Sequence, residues 1–160
     1  MAHASYDMSE GAANGKSFGP TIFFSKKGEA SFTQNNISLY NAIPGNNLIV
    51  TNWVVEDGLV DSYPAPRTVI GLDKTGTRLI LFVADGRQPL FSQGASLHDM
   101  AKSMIFYSAQ NAMNVEGGGS LTLVMCNSLG IARVINSSIQ TGIPGRERLV
   151  GNHLGIFAQH

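Results

Sequence analysis

The sequence predicts an α+β fold, with a mixed and largely antiparallel sheet and one or two flanking helices. Eighteen of the 160 residues are glycine, which favours a turn-rich fold. Short β-forming segments follow one another with only turn residues between them, and one clear helix (about 96–109) stands among them. Because strands and helices do not alternate, a doubly wound fold is not expected.

Length and composition predict a single globular domain. Hydrophobic residues make up 43% of the chain and charged residues 14%, which is enough apolar material for a core. The 11 basic and 11 acidic residues give a formal net charge of zero, which argues against nucleic acid or an anionic membrane as a partner. No apolar stretch approaches the ~20 residues of a membrane span.

The N-terminal residues differ in composition from the rest. Residues 1–19 are small and polar and predict a flexible lead-in, and residues 20–160 are then the single domain. The lead-in has neither the basic head nor the apolar run of a secretory signal. The sequence leaves the location of the protein in the cell open.

The first strands are expected between residues 21 and 55. "TIFFS" (21–25) and "ASFT" (30–33) flank "KKGE" and predict a hairpin. "ISLYNAI" (37–43) is ambiguous between strand and other structure. "NLIVTNWVV" (47–55) predicts a strand that is broken near Asn52.

The middle of the chain carries the clearest local patterns. "RTVIGLD" (67–73) and "RLILFVAD" (78–85) are joined by the turn "KTGT" and predict two antiparallel strands, both covered on two faces because they are almost continuously apolar. In "SLHDMAKSMIFYSAQ" (96–110), Ser96 and Asp99 form a capping-box pattern. One apolar helical stripe follows: Leu97, Met100, Ala101, Met104 and Ile105.

Short strands are predicted in the last third of the chain. They are "AMNVE" (112–116), "SLTLVMC" (120–126), "ARVIN" (132–136) and "NHLGIFAQ" (152–159), of which the last is expected to close the sheet. Cys126 is the one cysteine, so an intrachain disulfide is excluded. Its apolar surroundings predict a buried small hydrophobe rather than a nucleophile.

Polar residues at the strand ends are the candidates for chemistry. Arg67 opens one strand, Asp85 and Arg87 end the next, and Glu116 stands before three glycines and Ser120. If these strands are neighbours, two guanidinium forks and the N–H groups of the glycine loop could bind a phosphate or carboxylate. Glu116 or Asp85 could act as acid, base or nucleophile. The plainer alternative is that "DGR" (85–87) forms only a turn, that the three glycines only connect two strands, and that the arginines are solvated.

Signatures of metal and nucleotide sites are absent from the sequence. The four histidines show no metal-ligand spacing to one another or to Cys126. The nucleotide-binding pattern Gly-x-x-x-x-Gly-Lys and the hydrolase pattern Gly-x-Ser-x-Gly do not occur. We therefore expect neither a metal nor another cofactor.

The order of four segments resembles the phosphodiester glycosidase domain family. The segments are "RTVIGLD", "LFVADGRQPLFSQGASLHDMAKSM", "NAMNVEGGGSLTLV" and "GRERLVGNHLGIF", and the resemblance covers residues 67–157 with a weaker echo over 21–55. It implies a mixed sheet with flanking helices and hydrolysis of a sugar-1-phosphodiester at the anomeric carbon. It also implies a small-molecule or glycan substrate; relatives of the family are often exported or lysosomal.

The candidate site residues are taken from the residue patterns and from this resemblance together. Glu116 and Asp85 are the candidate catalytic residues. Because phosphate is a good leaving group, a carboxylate acting as base or nucleophile matters more than acid assistance. The candidate substrate-binding residues are Arg67, Arg87, Ser92, Gly94, Asn114, Gly117, Gly118, Gly119, Ser120, Arg148, Asn152 and His153.

Two departures from the family pattern support other hypotheses. The family usually has Asp where this chain has Glu116, and misplacing a catalytic group by about 1 Å can cost ~100-fold in rate. An Asn-Gly-Gly-Phe-like segment expected earlier in the family domain is not found, so the chain resembles the later part of the domain or a trimmed version of it. A non-catalytic sugar-phosphate-binding domain and a self-assembling domain, a homo-oligomer, are the alternatives.

Overall fold

The structure is a computed structural model that describes residues 19–33, 38–59, 63–151 and 153–157. The predicted lead-in, 1–19, lies outside the described residues except for Gly19. The first sheet is three-stranded and antiparallel, in the order β2-β1-β3. Its strands are β1 (Thr21–Ser25), β2 (Ala30–Ser31) and β3 (Leu39–Pro44). The predicted hairpin is confirmed, and the ambiguous segment is a strand.

A second, five-stranded sheet forms the centre of the molecule in the order β5-β4-β8-β6-β7. Its strands are β4 (Asn47–Thr51), β5 (Val54–Val55), β6 (Arg67–Leu72), β7 (Leu79–Ala84) and β8 (Asn111–Gly117). Every neighbouring pair is antiparallel. The predicted break lies at Asn52 and Trp53, which both have left-handed backbone (φ 50° and 61°) and turn the chain from β4 to β5.

The prediction that two faces of both central strands are covered is right for β6 and wrong for β7. Four consecutive residues of β6 are buried, whereas none of β7 is fully buried and Leu81 is 40% exposed. The physical reason is the strand order, because β7 is at the edge of the sheet and β6 lies between two neighbours.

The helix α1 (Leu97–Phe106) packs across one face of the five-stranded sheet. The Ser96 hydroxyl accepts from the Asp99 N–H and the Asp99 side chain accepts from the Ser96 N–H, so the predicted capping box is confirmed. Four members of the predicted stripe are buried, and Ile105 packs partly buried against the same core. The sheet and the helix together confirm the α+β fold class.

The helix ends three residues before the predicted end. Ser108 adopts a left-handed conformation (φ 67°) and its N–H bonds the Ile105 carbonyl, while the Ala109 N–H bonds the Met104 carbonyl. This is the Schellman pattern that closes a helix. No described helix has the length and apolarity that crossing a membrane requires.

The chain after β8 forms small separate hairpins instead of adding to the central sheet. A 3-10 turn (Gly118–Ser120) precedes the pair β9 (Val124–Cys126) and β10 (Ala132–Val134) and the pair β11 (Ile139–Gln140) and β12 (Ile143–Pro144). The predicted strand 120–126 therefore starts late, at Val124, because the glycines turn the chain first. The predicted strand 132–136 ends at Val134.

Two further predictions for this region are wrong. Residues 153–157 are not in a strand, and the closing strand expected at 152–159 is absent from the described residues. Cys126 is exposed rather than buried. The reason is that β9 pairs only with β10, and all residues of both strands are exposed.

Candidate active site

An open cleft of about 280 Å³ lies at the end of the five-stranded sheet where β6 begins and β8 ends. The register explains its position, because Arg67, the first residue of β6, is paired with Ala84 at the end of β7 and with Gly117 at the end of β8. The cleft is lined by three arginines, one glutamate, two asparagines and four residues of two backbone segments: Arg67, Arg87, Arg148, Glu116, Asn46, Asn114, Ala65, Pro66, Gly117 and Gly118.

Arg67 is the most enclosed of the three arginines. Its Nε donates to the Ala95 carbonyl oxygen at 3.3 Å, which fixes the direction of the side chain. Burial lowers the pKa of Arg67, and the positive charge of Arg87 lowers it further. An arginine stays protonated despite such a shift. Two guanidinium groups close enough to repel each other are stabilised when an anion lies between them.

Arg87 follows β7 in a left-handed conformation (φ 57°), which is rare for a residue with a side chain. Its N–H is held by the Gln93 carbonyl oxygen at 3.2 Å. A Cβ atom on Gly118 would lie 3.2 Å from the Arg87 Nη1 atom, so the glycine leaves room for the guanidinium. Gly118 itself has φ 64°, which glycine adopts without strain.

Arg148 reaches the cleft from the C-terminal region. Its Nε donates to Gln140 Oε1 at 2.9 Å and its Nη1 to Ser120 Oγ at 3.3 Å. A Cβ atom on Gly119 would collide with Gln140 Oε1 and would lie 3.2 Å from the Arg148 Nε. Within the described part of the chain, no carboxylate lies at ion-pair distance from any of the three guanidinium groups. Their charges are therefore available to an anionic ligand.

Glu116 is the exposed carboxylate of the cleft. The pairing of β8 with β6 shifts at Val115, where Thr68 faces Glu116 and Val69 faces Asn114. Such a bulge re-aims the side chains beside it and is common next to active sites. The Glu116 Oε1 accepts the Gly117 N–H at 2.9 Å, and the Pro66 oxygen accepts the Gly118 N–H at 3.2 Å. Two N–H groups of the glycine loop thus already have acceptors.

Asp85 and Ser92, two other candidates, do not line the cleft but form hydrogen bonds next to it. The Asp85 carboxylate accepts from Asn136 Nδ2 at 2.9 Å and from the Ser137 N–H at 2.8 Å, and Asp85 is not a lining residue. Ser92 Oγ donates to the Asp85 carbonyl oxygen at 2.6 Å and accepts the Gly94 N–H at 3.2 Å. These bonds shape the turn that carries Arg87.

The remaining candidates divide into those near the cleft and those away from it. Gly119 and Ser120 contact Arg148 rather than lining the cleft themselves. Gly94 packs against the Ala65 backbone, where a Cβ would approach to 2.5 Å, and it has φ 106°. His153 is exposed and does not line the cleft. Asn152 lies outside the described residues.

Asn46 is a lining residue that the sequence reasoning missed. Its N–H donates to the Asn114 carbonyl oxygen at 2.8 Å, directly before β4 pairs with β8. The available signal was the turn at Pro44 and Gly45, but only the pairing of β4 with β8 shows that the turn lies at the cleft. In the described residues, no group of three metal-binding side chains that could hold an ion is present.

Comparison with known proteins identifies the family of the chain. The family model of the phosphodiester glycosidase domain matches residues 8–157. The chain belongs to the phosphodiester glycosidase family. The match begins inside the predicted lead-in, so the family pattern reaches further towards the N-terminus than the motifs that start at Arg67. The likeness to individual members of the phosphodiester glycosidase family covers less of the chain.

Two curated relatives and one solved structure are similar over part of their length. The human and mouse proteins named N-acetylglucosamine-1-phosphodiester alpha-N-acetylglucosaminidase are each 41% identical over 63 residues, which is 39% of this chain and 12% of theirs. The zebrafish protein of that name, solved as a catalytic domain auto-inhibited by its pro-peptide, has a TM-score of 0.51 at 23% identity. It covers 65% of this chain, which in turn covers 41% of it. At that identity the likeness shows the fold.

Proposed function

We propose that the domain is a hydrolase that cleaves a sugar-1-phosphodiester. The observation that carries the proposal is the convergence of Arg67, Arg87 and Arg148 with one carboxylate, Glu116, on one open cleft. The guanidinium groups have no carboxylate partner within the described residues, so they suit an anionic group of the ligand. Family membership and the names of the relatives supply the reaction class.

The arginines would bind the phosphate. Arg67 and Arg148 are already oriented by hydrogen bonds to Ala95, Gln140 and Ser120, so little side-chain freedom is lost when the ligand binds. Arg87 has the freest side chain of the three and can close on the phosphate as the ligand arrives. Fixed donors aimed at a phosphate also stabilise the negative charge that develops on the leaving group.

Glu116 would act at the glycosyl centre as base or nucleophile. It is the one carboxylate among the described residues that line the cleft, and it is exposed. Asp85 is committed to Asn136 and Ser137, so we assign it the role of holding the turn before Arg87 instead of a chemical role. A phosphate leaving group needs little acid assistance, which fits a cleft whose described lining includes a single carboxylate.

The test is turnover of a defined substrate panel. Purified protein is incubated with UDP-N-acetylglucosamine and with aryl phosphodiesters of several sugars, and free sugar is measured. Arg87→Gln is expected to lower kcat/KM on the order of 100-fold, and Glu116→Gln at least as much. The matched controls are Arg133→Gln on the exposed β10 and Glu29→Gln in the first hairpin. Absence of turnover by the folded protein across the panel would reject the proposal.

A non-catalytic sugar-phosphate-binding domain is the second candidate. Glu116 favours it, because this carboxylate already holds the Gly117 N–H and therefore orders the loop. On this hypothesis a sugar 1-phosphate binds without turnover, and Glu116→Asp gains activity if the reach of the carboxylate is the defect. Multiple turnovers by the natural sequence would reject it. Self-assembly stays a prediction, which light scattering at high protein concentration tests.

A further inference from the structure

The turn between β4 and β5 carries a tryptophan where glycine is the usual residue. Thr51 pairs with Val54, so Asn52 and Trp53 form a two-residue hairpin loop. Both have positive φ (50° and 61°), as in a type I′ turn, which favours Asn followed by Gly. A bulky side chain is strained in this conformation. Because such strain clusters at functional sites, Trp53 is a candidate for a role other than making the turn.

The residues at the start of β8 hold this turn in place. The Trp53 N–H donates to the Gln110 carbonyl oxygen at 2.9 Å, and the Asn52 N–H donates to Asn111 Oδ1 at 3.1 Å. Gln110 Nε2 donates to Asn52 Oδ1 at 3.1 Å. The indole is 42% exposed, and Lys74 Nζ lies 6.0 Å from its ring centroid, at the outer limit of a cation–π contact. A fixed backbone therefore presents an accessible aromatic ring.

Polar groups beside the indole are left without partners. Gln110 Oε1 and Asn111 Nδ2 form no hydrogen bond among the described residues. Both atoms remain accessible, unlike the unpaired hydroxyl oxygen of Thr51, which is buried. The indole N–H of Trp53 has no acceptor in the described part of the chain. The turn thus presents an apolar ring together with one free acceptor and two free donors.

A pyranose sugar has the complementary chemistry. One face of its ring carries C–H groups that pack on an aromatic ring, and its hydroxyl groups both donate and accept hydrogen bonds. We propose that Trp53, Gln110 and Asn111 form a glycan-binding site, with a sugar ring stacked on the indole and its hydroxyls bonded to the two side-chain amides. Lys74 is exposed and free to move aside or to donate to a further hydroxyl.

This site is separate from the cleft. β4 runs from Asn47, which follows the cleft residue Asn46, to Thr51 directly before the turn. Five strand residues span about 16 Å, so the turn and the cleft lie at opposite ends of the sheet. Trp53 is not a lining residue of the cleft. The glycan-binding site therefore holds the protein on a glycan without taking part in bond cleavage, and the inference does not depend on the proposed function.

The test uses the fluorescence of Trp53, which reports on this turn alone because the chain has one tryptophan. Purified protein is titrated with N,N′-diacetylchitobiose, mannotriose, cellotriose and lactose, and in a separate arm with a proline-rich peptide. At least one saccharide is expected to change the emission in a saturable way. No change with any saccharide, or a response to the peptide alone, would overturn the inference.

Three variants, measured by calorimetry, separate stacking from general apolar contact. Trp53→Phe keeps a flat ring and should retain most of the affinity, whereas Trp53→Leu keeps apolar bulk without the ring and should lose it. Asn111→Asp still accepts the Asn52 N–H but replaces the free donor with an acceptor, and it should weaken binding about 10-fold.

A matched control and a second readout complete the experiment. Phe91→Leu changes another exposed aromatic residue, at the opposite end of the sheet, and should leave the affinity unchanged. If Trp53→Leu binds the saccharide as tightly as the natural protein does, the site is disproved. Turnover of small aryl sugar phosphodiesters should be the same in Trp53→Leu and in the natural protein. Failure of this inference and failure of the proposed function are thereby distinguished.

Discussion

The central sheet with α1 and the hairpin of β9 and β10 have similar apolar sequence but opposite burial. β6 ("RTVIGL") has four buried residues in succession, and the helix facing it buries Met100, Ala101 and Met104. β9 ("VMC") and β10 ("ARV") are exposed at every position. The difference lies in partners, because β6 has a strand on each side and a helix on one face, whereas β9 has one strand and no covering layer among the described residues.

This comparison shows that an apolar β pattern predicts a strand but not its burial. A hairpin alone is marginally stable, and exposed strand edges can pair with other strands. The central sheet thus provides the stability of the cleft. The C-terminal region contributes Arg148, which is held to the loop by Gln140 and Ser120. Substitutions in the central sheet and in the exposed hairpin should therefore change the free energy of unfolding by different amounts.

The largest expected difference is between two methionines. Met104 is fully buried on the face of α1 that packs against the sheet, and Met125 is 58% exposed on β9. Met104→Ala leaves a cavity and should lower the free energy of unfolding by about 2–5 kcal/mol. Met125→Ala should change it by less than about 0.5 kcal/mol. Urea unfolding followed by circular dichroism measures both. Equal losses would mean that the hairpin is buried in solution, for instance against a second copy of the chain.

Gly71 in the core and Gly155 in open space allow the same two regions to be compared by adding a side chain instead of removing one. A Cβ on Gly71 would collide with the Met104 Cε and lie 3.0 Å from the Asn111 oxygen, whereas a Cβ on Gly155 would meet nothing within 4 Å. Gly71→Ala should cost about 1–3 kcal/mol of unfolding free energy, and Gly155→Ala should be neutral within about 0.5 kcal/mol. Thermal melting in parallel measures the two. A neutral Gly71→Ala would mean that Met104 is free to move aside.

The sequence predictions were more accurate for the central sheet and its helix than for the C-terminal region. The hairpin of β6 and β7, the break at Asn52 and the capping box of Ser96 were predictable, because turn and cap signals are local. Burial of Cys126 and the closing strand at 152–159 were not, because they depend on which distant segments pack together. Both properties depend on contacts between segments far apart in the sequence, which the local periodicity of the sequence does not show.

The candidate site shows the same limit at single residues. The sequence predicts that Arg67, Arg87 and Glu116 meet on the condition that their strands are neighbours, and the pairing of β6 with β7 and with β8 meets that condition. Asn46 could not, because it reaches the cleft through the non-local pairing of β4 with β8. For Asp85, the position at the end of β7 could be predicted but the direction of the side chain could not, and the carboxylate binds Asn136 and Ser137 instead of facing the cleft.

Asn136 joins the two regions and provides a third prediction. Its Nδ2 donates to the Asp85 carboxylate, and its Oδ1 accepts the Leu123 N–H at 2.7 Å. The Nδ2 also donates to the Leu121 carbonyl oxygen at 3.3 Å. Asn136→Ala breaks all three bonds and should cost about 1–2 kcal/mol of unfolding free energy. Asn127→Ala, whose bonds stay within its own exposed turn, is the comparison and should cost less. Equal costs would mean that the link to Asp85 adds no stability.

The smallest expected effect is the pH dependence of the helix cap. Hydrogen bonds from the Ser96 side chain, and then from its backbone, lower the pKa of Asp99. A carboxyl group whose pKa is lowered on folding stabilises the protein above its unfolded pKa of about 3.9. This contribution is lost as the pH falls through the lower, folded-state pKa. Asp99→Asn should therefore reduce the Tm at pH 7, and the difference from the natural protein should shrink below about pH 4.

Two companion variants make the pH effect specific to the cap. Ser96→Ala removes the hydroxyl that caps α1 and should cost about 1 kcal/mol at pH 7. In the Ser96→Ala background, the further change Asp99→Asn should alter the pH dependence of the Tm less than it does in the natural protein, because Asp99 has already lost its main donor. Glu147→Gln, at an exposed carboxylate of the C-terminal region, is the control and should change the unfolding free energy at pH 7 by less than about 0.5 kcal/mol. If Asp99→Asn lowers the Tm equally at pH 7 and pH 3, the loss comes from packing and not from the charge of the capping box.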